Sequence, residues 1–150
     1  MKILALDFDG VIVDSVLDSL FIGHNAYLRL YGKEVKKNFG GELFTFKNWE
    51  EIKKHFQEEI KYYRTLRPFI RGATDYGLIQ KLMEEKKYIK NQEEFDNYRN
   101  TVNFDFEAYG KEFYQERERL QNISYRDWFN LEPPYPKVIE GLKRFFGRRN

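Results

Sequence analysis

The sequence predicts a mostly helical protein attached to a small piece of an α/β core, and three observations lead there. A short apolar run, Ile3 to Leu6, stops at two aspartates, Asp7 and Asp9. Residues 16–131 then carry apolar side chains at helical spacing almost throughout. Glu132-Pro133-Pro134-Tyr135-Pro136 breaks all regular structure before one more amphipathic stretch. The totals agree with a globular chain, at 41 % hydrophobic and 33 % charged residues. Fourteen Phe, eleven Tyr and two Trp predict a core packed with rings. The absence of cysteine excludes disulfides and thiolate metal sites and suits a cytoplasmic protein. With 26 basic and 24 acidic residues finely mixed, the net charge of +2 leaves no footprint for nucleic acid. The opening MKILALDF is too short an apolar stretch for a signal peptide, and no run is long enough to span a bilayer, so no membrane partner is expected.

The apolar run is what a strand covered on both faces needs. Side chains alternate along a strand, so Asp7 and Asp9 fall on one face, roughly 6.5 Å apart at about 3.3 Å per residue. Gly10 lets the backbone turn sharply just after them. Two like charges so close are costly unless one is protonated or a cation screens them. Mg²⁺ suits such oxygen ligands and is commonly shared with a substrate phosphate. One Asp is then free to attack phosphorus while the other moves a proton. An EF-hand loop also begins D-x-D, but it needs Gly and Glu where this chain has Ile12 and Asp18.

In chain order, Ser15 with Asp18 resembles a capping box, and Leu17, Leu20, Phe21, His24, Leu28 and Tyr31 follow on one helical face up to Gly32. His24 on that stripe reads as a packing histidine. Glu42 to Phe46 is a short strand or an extended connector. Asn48 with Glu51 predicts a cap for a helix running to about Leu66, broken by Pro68 and Gly72. Arg64, Arg67 and Arg71 flank that break; they suit a carboxylate or phosphate of a small acidic substrate, or else pair with nearby glutamates at the surface. Leu78, Ile79, Leu82 and Met83 mark the next helix, and Asn91 with Glu94 caps another through Phe95, Tyr98 and Val102. A helix from about Phe106 to Leu120 contains Gly110, which costs about 1 kcal/mol relative to Ala and so implies close packing or a bend. Ser124 and Asp127 cap a short turn, and Pro136 opens a last helix that Gly147 is placed to end.

An apolar run into DFDGVIVDS closely resembles the first signature of the haloacid-dehalogenase-like (HAD) hydrolases, hhhhDxDGxxxDS, with Asp7, Asp9, Gly10, Asp14 and Ser15 in place. PPYPKVIEGLKRF is similar to the return into that family's core after an inserted cap. The resemblance implies a partial HAD-like Rossmannoid core made of residues 1–15 and 132–150, with an enlarged helical cap at 16–131. It implies that Asp7 is the nucleophile that becomes an aspartyl-phosphate and that Asp9 is the general acid and base. Mg²⁺ is implied on the Asp7 carboxylate and the Asp9 backbone carbonyl, and a small phosphorylated metabolite as substrate. Asp9 favours phosphate over halide, since a leaving alkoxide needs a proton and halide does not.

The family's later groups have no match in these residues: a strand ending in Ser or Thr to grip phosphate, a Lys, and an acidic pair for the metal. The doublets Glu50-Glu51, Glu58-Glu59, Glu84-Glu85 and Glu93-Glu94 sit in helical stretches instead. Losing even one such donor costs on the order of 10²–10³ in rate, so a truncated chain of this kind is expected to be inactive alone. Its lone strand also predicts pairing of two chains into a homo-oligomer through the exposed edge. The alternative from another class is a stand-alone helical interaction module in which Asp7 and Asp9 are vestigial.

Overall fold

Residues 5–32 and 38–147 are described in the computed structural model. Eight α-helices lie among them: α1 Val16–Tyr31, α2 Trp49–His55, α3 Gln57–Leu66, α4 Asp75–Glu84, α5 Gln92–Thr101, α6 Phe106–Ile123, α7 Tyr125–Phe129 and α8 Pro136–Gly147. The mostly helical expectation therefore holds. No strand forms among the described residues. Ile3 and Leu4 of the expected first strand lie outside them, and Ala5, Leu6 and Asp7 take part in no ladder. The physical reason is that a strand needs a partner for its backbone groups, and the described residues provide only two isolated bridges, Asp9 to Val13 and Val13 to Pro134. An exposed core strand that pairs two chains is thus not seen among these residues.

The unit is built around α1. Between Val16 and Leu28 only Asp18 is charged, and every residue from Asp18 to Tyr27 is buried, so this helix is enclosed on all sides. It packs on α6 and α4, and Gly23 is where the three meet: a Cβ there would stand 3.1 Å from the Tyr109 hydroxyl and 3.3 Å from Tyr76 Cβ. Around α1 the expected ring-rich core forms, with Phe21 5.7 Å from Phe44 and 5.1 Å from Trp49, and Tyr76 stacked on Phe113 at 5.3 Å. Gly110 sits 3.0 Å, by its absent Cβ, from the Thr74 methyl, so close packing explains it, with a methyl rather than a ring as the neighbour.

A polar hub locks these helices in register. Asn25 accepts the Phe44 amide (2.7 Å) and donates both to the Phe44 carbonyl (2.9 Å) and to Glu116 (2.8 Å). In this way it holds the 42–46 segment, an extended connector and not a strand. Glu116 is buried and also accepts from Arg29 (2.8 Å) and Arg119 (2.5 Å). His24 is a packing histidine, as expected: its Nε2–H donates to the Glu42 carbonyl (2.9 Å) and its ring stacks on Phe44 at 4.1 Å. Burial pulls its pKa down to about 4, so the ring is neutral.

The predicted long helix from Asn48 to Leu66 is two helices, broken at Phe56 (φ −114°, ψ 42°), whose ring lies edge-on to Phe39. Two expected caps do not form. Asn48 turns its side chain back to Thr45 and Leu43, and Ser15 makes no side-chain cap bond, while the Asp14 carboxylate accepts the Val16 amide. Asn91 and Ser124 do cap their helices, by accepting from Glu94 and Asp127.

The proline segment returns beside the point of departure. The Asp14 amide donates to the Pro133 carbonyl, and the Tyr135 amide to the Ile12 carbonyl, both at 2.9 Å. Beyond it, α8 buries none of its residues.

Two outcomes follow from the core. Glu116→Ala is expected to lower the unfolding free energy in urea by about 3 kcal/mol, since it strands the Asn25 amide and two guanidinium groups; Glu116→Gln, which keeps an acceptor, should lose less. Because the folded pKa of His24 lies below its ordinary value of 6.5, its contribution to stability is present above 6.5 and lost as pH falls toward about 4. Its ring resonances in NMR should stay at the neutral position from pH 8 down to 5.

Candidate active site

Asp9 reaches its position through a tight turn. The Phe8 carbonyl accepts the amides of Ile12 (2.9 Å) and Val13 (3.1 Å), and the Gly10 amide returns to the Val13 carbonyl (2.9 Å). Gly10 takes φ +72°, the left-handed region that a side chain disfavours. Val13, 2 % exposed, anchors the turn in the core.

This turn delivers Asp9 to a cleft of about 250 Å³. One wall is the start of α1, with Ser15, Asp18 and Ser19; another is the 67–73 segment with Arg67 and Arg71; the rest comes from Tyr76 of α4 and Phe113, Tyr114 and Arg117 of α6. Asp7 does not line it. The Asp7 carboxylate is exposed and accepts the neighbouring Phe8 amide at 2.8 Å. Of the three arginines around Pro68, Arg64 pairs with Asp14 (3.0 Å) and Arg71 with Asp96 (2.6 Å). Arg67 lines the cleft along with Arg71, and the Arg67 guanidinium stacks over Tyr76 at 5.2 Å. On the facing side Arg117 stacks over Trp128 at 5.3 Å.

Asp18 is the feature that sequence reasoning missed, since it looked like part of a cap. It is 6 % exposed, and its Oδ1 has no hydrogen-bond partner. Burial, and then the charge of Glu132, push its pKa up to about 8, with Arg117 offsetting part of the rise. Burial also raises Glu132. Burial together with the facing acid therefore favours the protonated form of Asp18 at neutral pH. One signal for Asp18 was available: it is the only charge along thirteen residues of a helix enclosed by the core, Val16 to Leu28. Arg117, inside a stretch dense in charge, carried no such signal.

Asp7 and Asp9, the residues the resemblance assigns to Mg²⁺, offer only oxygen donors, which suits an ion that takes one or two protein carboxylates and completes its shell with water and phosphate. Among the described residues no group of three His, Cys, Asp or Glu side chains is placed to enclose a metal by itself. Those residues also include no helix long and apolar enough to cross a membrane.

Comparisons against protein-family models, curated proteins and solved structures each find no match for this chain.

The sign for Asp18 is opposite to that for His24. Its folded pKa lies above the unfolded value of 3.8, so its contribution is complete below that value and is lost as pH rises through about 8. Between about pH 7.5 and 8.5, where His24 is neutral in both states, unfolding free energy from urea titrations should fall with pH and level off above it. Asp18→Asn should flatten that slope.

Proposed function

We propose that the Asp7–Asp9 turn is the phosphoryl-transfer centre of a HAD-like phosphatase acting on a small phosphate ester, with the helices of residues 16–131 as its roof. The observation that carries this reading is that Asp9 lines a cleft shared with Arg67, Arg71 and Arg117. An acid–base group beside guanidinium groups is an arrangement for a substrate that is anionic and needs a proton moved.

The residues take their roles from the resemblance. An Asp7 oxygen attacks phosphorus as the bond to the ester oxygen breaks, and Asp9 gives that oxygen its proton. Asp9 then takes a proton from the water that attacks the aspartyl-phosphate, which releases phosphate and restores the Asp7 carboxylate. Asp7 and the Asp9 carbonyl would hold Mg²⁺, whose charge lets an anionic nucleophile approach an anionic phosphate. No lysine lines the cleft among the described residues, and its serines, Ser15 and Ser19, lie at the start of α1. Turnover by these 150 residues alone is therefore expected to be slow, because phosphoryl transfer depends on positioned charge.

A second reading, a helical interaction module with a vestigial site, is favoured by one feature. The last helix carries Val138, Ile139 and Leu142 yet buries none of its residues.

Beryllofluoride, which mimics an aspartyl-phosphate, separates the two. With Mg²⁺ the wild-type chain should show a protein-bound ¹⁹F resonance that Asp7→Asn abolishes, while hydrolysis of p-nitrophenyl phosphate stays near background. A wild-type chain with no bound resonance, or one that Asp7→Asn leaves in place, refutes the phosphatase reading and favours the module.

A further inference from the structure

Two charges beside the Asp9 turn take no part in the chemistry above: Arg64 and Asp14. The Arg64 Nη1 donates to both oxygens of the Asp14 carboxylate, at 3.0 and 3.4 Å. The sequence offers Arg64 an anionic substrate or a surface glutamate as its partner. The structure gives it instead an aspartate of the stretch that carries Asp7 and Asp9. Its helix has a firm base, since Tyr63 and Leu66 of α3 are fully buried and the Tyr63 hydroxyl donates to Ser19 of α1 (3.3 Å). The guanidinium therefore reaches the turn from a fixed backbone.

Asp14 ties that turn to its surroundings. Its amide donates to the Pro133 carbonyl (2.9 Å), and its carboxylate accepts the Val16 amide (3.2 Å) as well as Arg64. Val13, next to it, bridges to Asp9 and takes the Gly10 amide on its carbonyl (2.9 Å). A displacement at Asp14 is thus passed to Asp9 through one residue. Charge supplies a second argument. Asp7, Asp9 and Asp14 lie within eight residues, 7–14, and an anionic ester has to approach them. The chemistry needs the carboxyl groups of Asp7 and Asp9, whereas an ionised Asp14 only adds repulsion. Arg64 offsets that charge with a charge-assisted hydrogen bond.

We propose that Arg64 is a positioning residue for the Asp9 turn: through Asp14 it fixes the turn against α3 and offsets the carboxylate that phosphoryl transfer does not use. Its service to phosphoryl transfer rests on the phosphatase reading; its hold on the turn does not.

Amide hydrogen exchange and beryllofluoride binding test the two parts. In Arg64→Gln the Gly10 and Asp14 amides should exchange about threefold faster, while the Ala108 amide, which Asp105 caps, keeps its rate. With Mg²⁺, a ¹⁹F titration of that variant should show beryllofluoride bound about fivefold more weakly, the upper range for an exposed ion pair. Arg64→Lys, which keeps the charge, should recover most of that affinity. In an Asp14→Asn background Arg64→Gln should change neither readout further, since its effect runs through that carboxylate. Unchanged exchange in Arg64→Gln, or an equal effect in the Asp14→Asn chain, overturns the proposal. So does an unaltered affinity when the wild-type chain binds beryllofluoride. If the wild-type chain binds none, the phosphatase reading falls, and the exchange rates alone decide whether Arg64 holds the turn.

Discussion

Everything in this fold leans on one buried acid. Glu116 is 2 % exposed and accepts hydrogen bonds from Asn25 and Arg29 of α1 and from Arg119 of its own helix. The rings that surround α1 supply most of the burial, but apolar contacts are non-directional and would tolerate some rotation of one helix against another. The carboxylate does not. By fixing Asn25 it fixes the 42–46 connector, and by fixing α6 against α1 it sets Arg117 opposite Asp18. A charge-assisted network of this kind is a constraint on geometry more than a source of net stability.

The cleft inherits its electrostatics from that geometry. Asp18 belongs to the helical unit, whereas Glu132 belongs to the segment that returns from it, and each is hidden from water. Two ionised carboxylates there would repel: burial and then the charge of Glu132 raise Asp18, burial raises Glu132, and the charge of Arg117 offsets part of each rise.

Periodicity made the helices legible, because α1, α4, α5, α6 and α8 each keep an apolar stripe of the right spacing. Local signals failed where tertiary contacts outbid them. The break at Phe56 follows from a ring contact with Phe39, and Asn48 serves the turn before its helix instead of the helix itself. In the site, Asp9 was legible because its motif is contiguous. Arg67 was one of three adjacent arginines, and only folding shows that the other two already have acids. Arg117 could not be found at all from the sequence, since its place in the cleft comes from α6 packing on α1, which is far away along the chain.

The turn around Asp9 also explains why the two aspartates of one motif differ in surroundings. From Phe8 onward the chain is tied to itself by the Phe8 carbonyl and to the returning proline segment through Ile12 and Asp14. Val13 is buried between them. Asp9 thus moves as part of the helical unit, with no need of a sheet to place it. Asp7 precedes every one of these bonds, and its own carboxylate reaches only the next amide. Asp9 and the residues that line its cleft are consequently held by one connected set of contacts, and Asp7 lies outside that set.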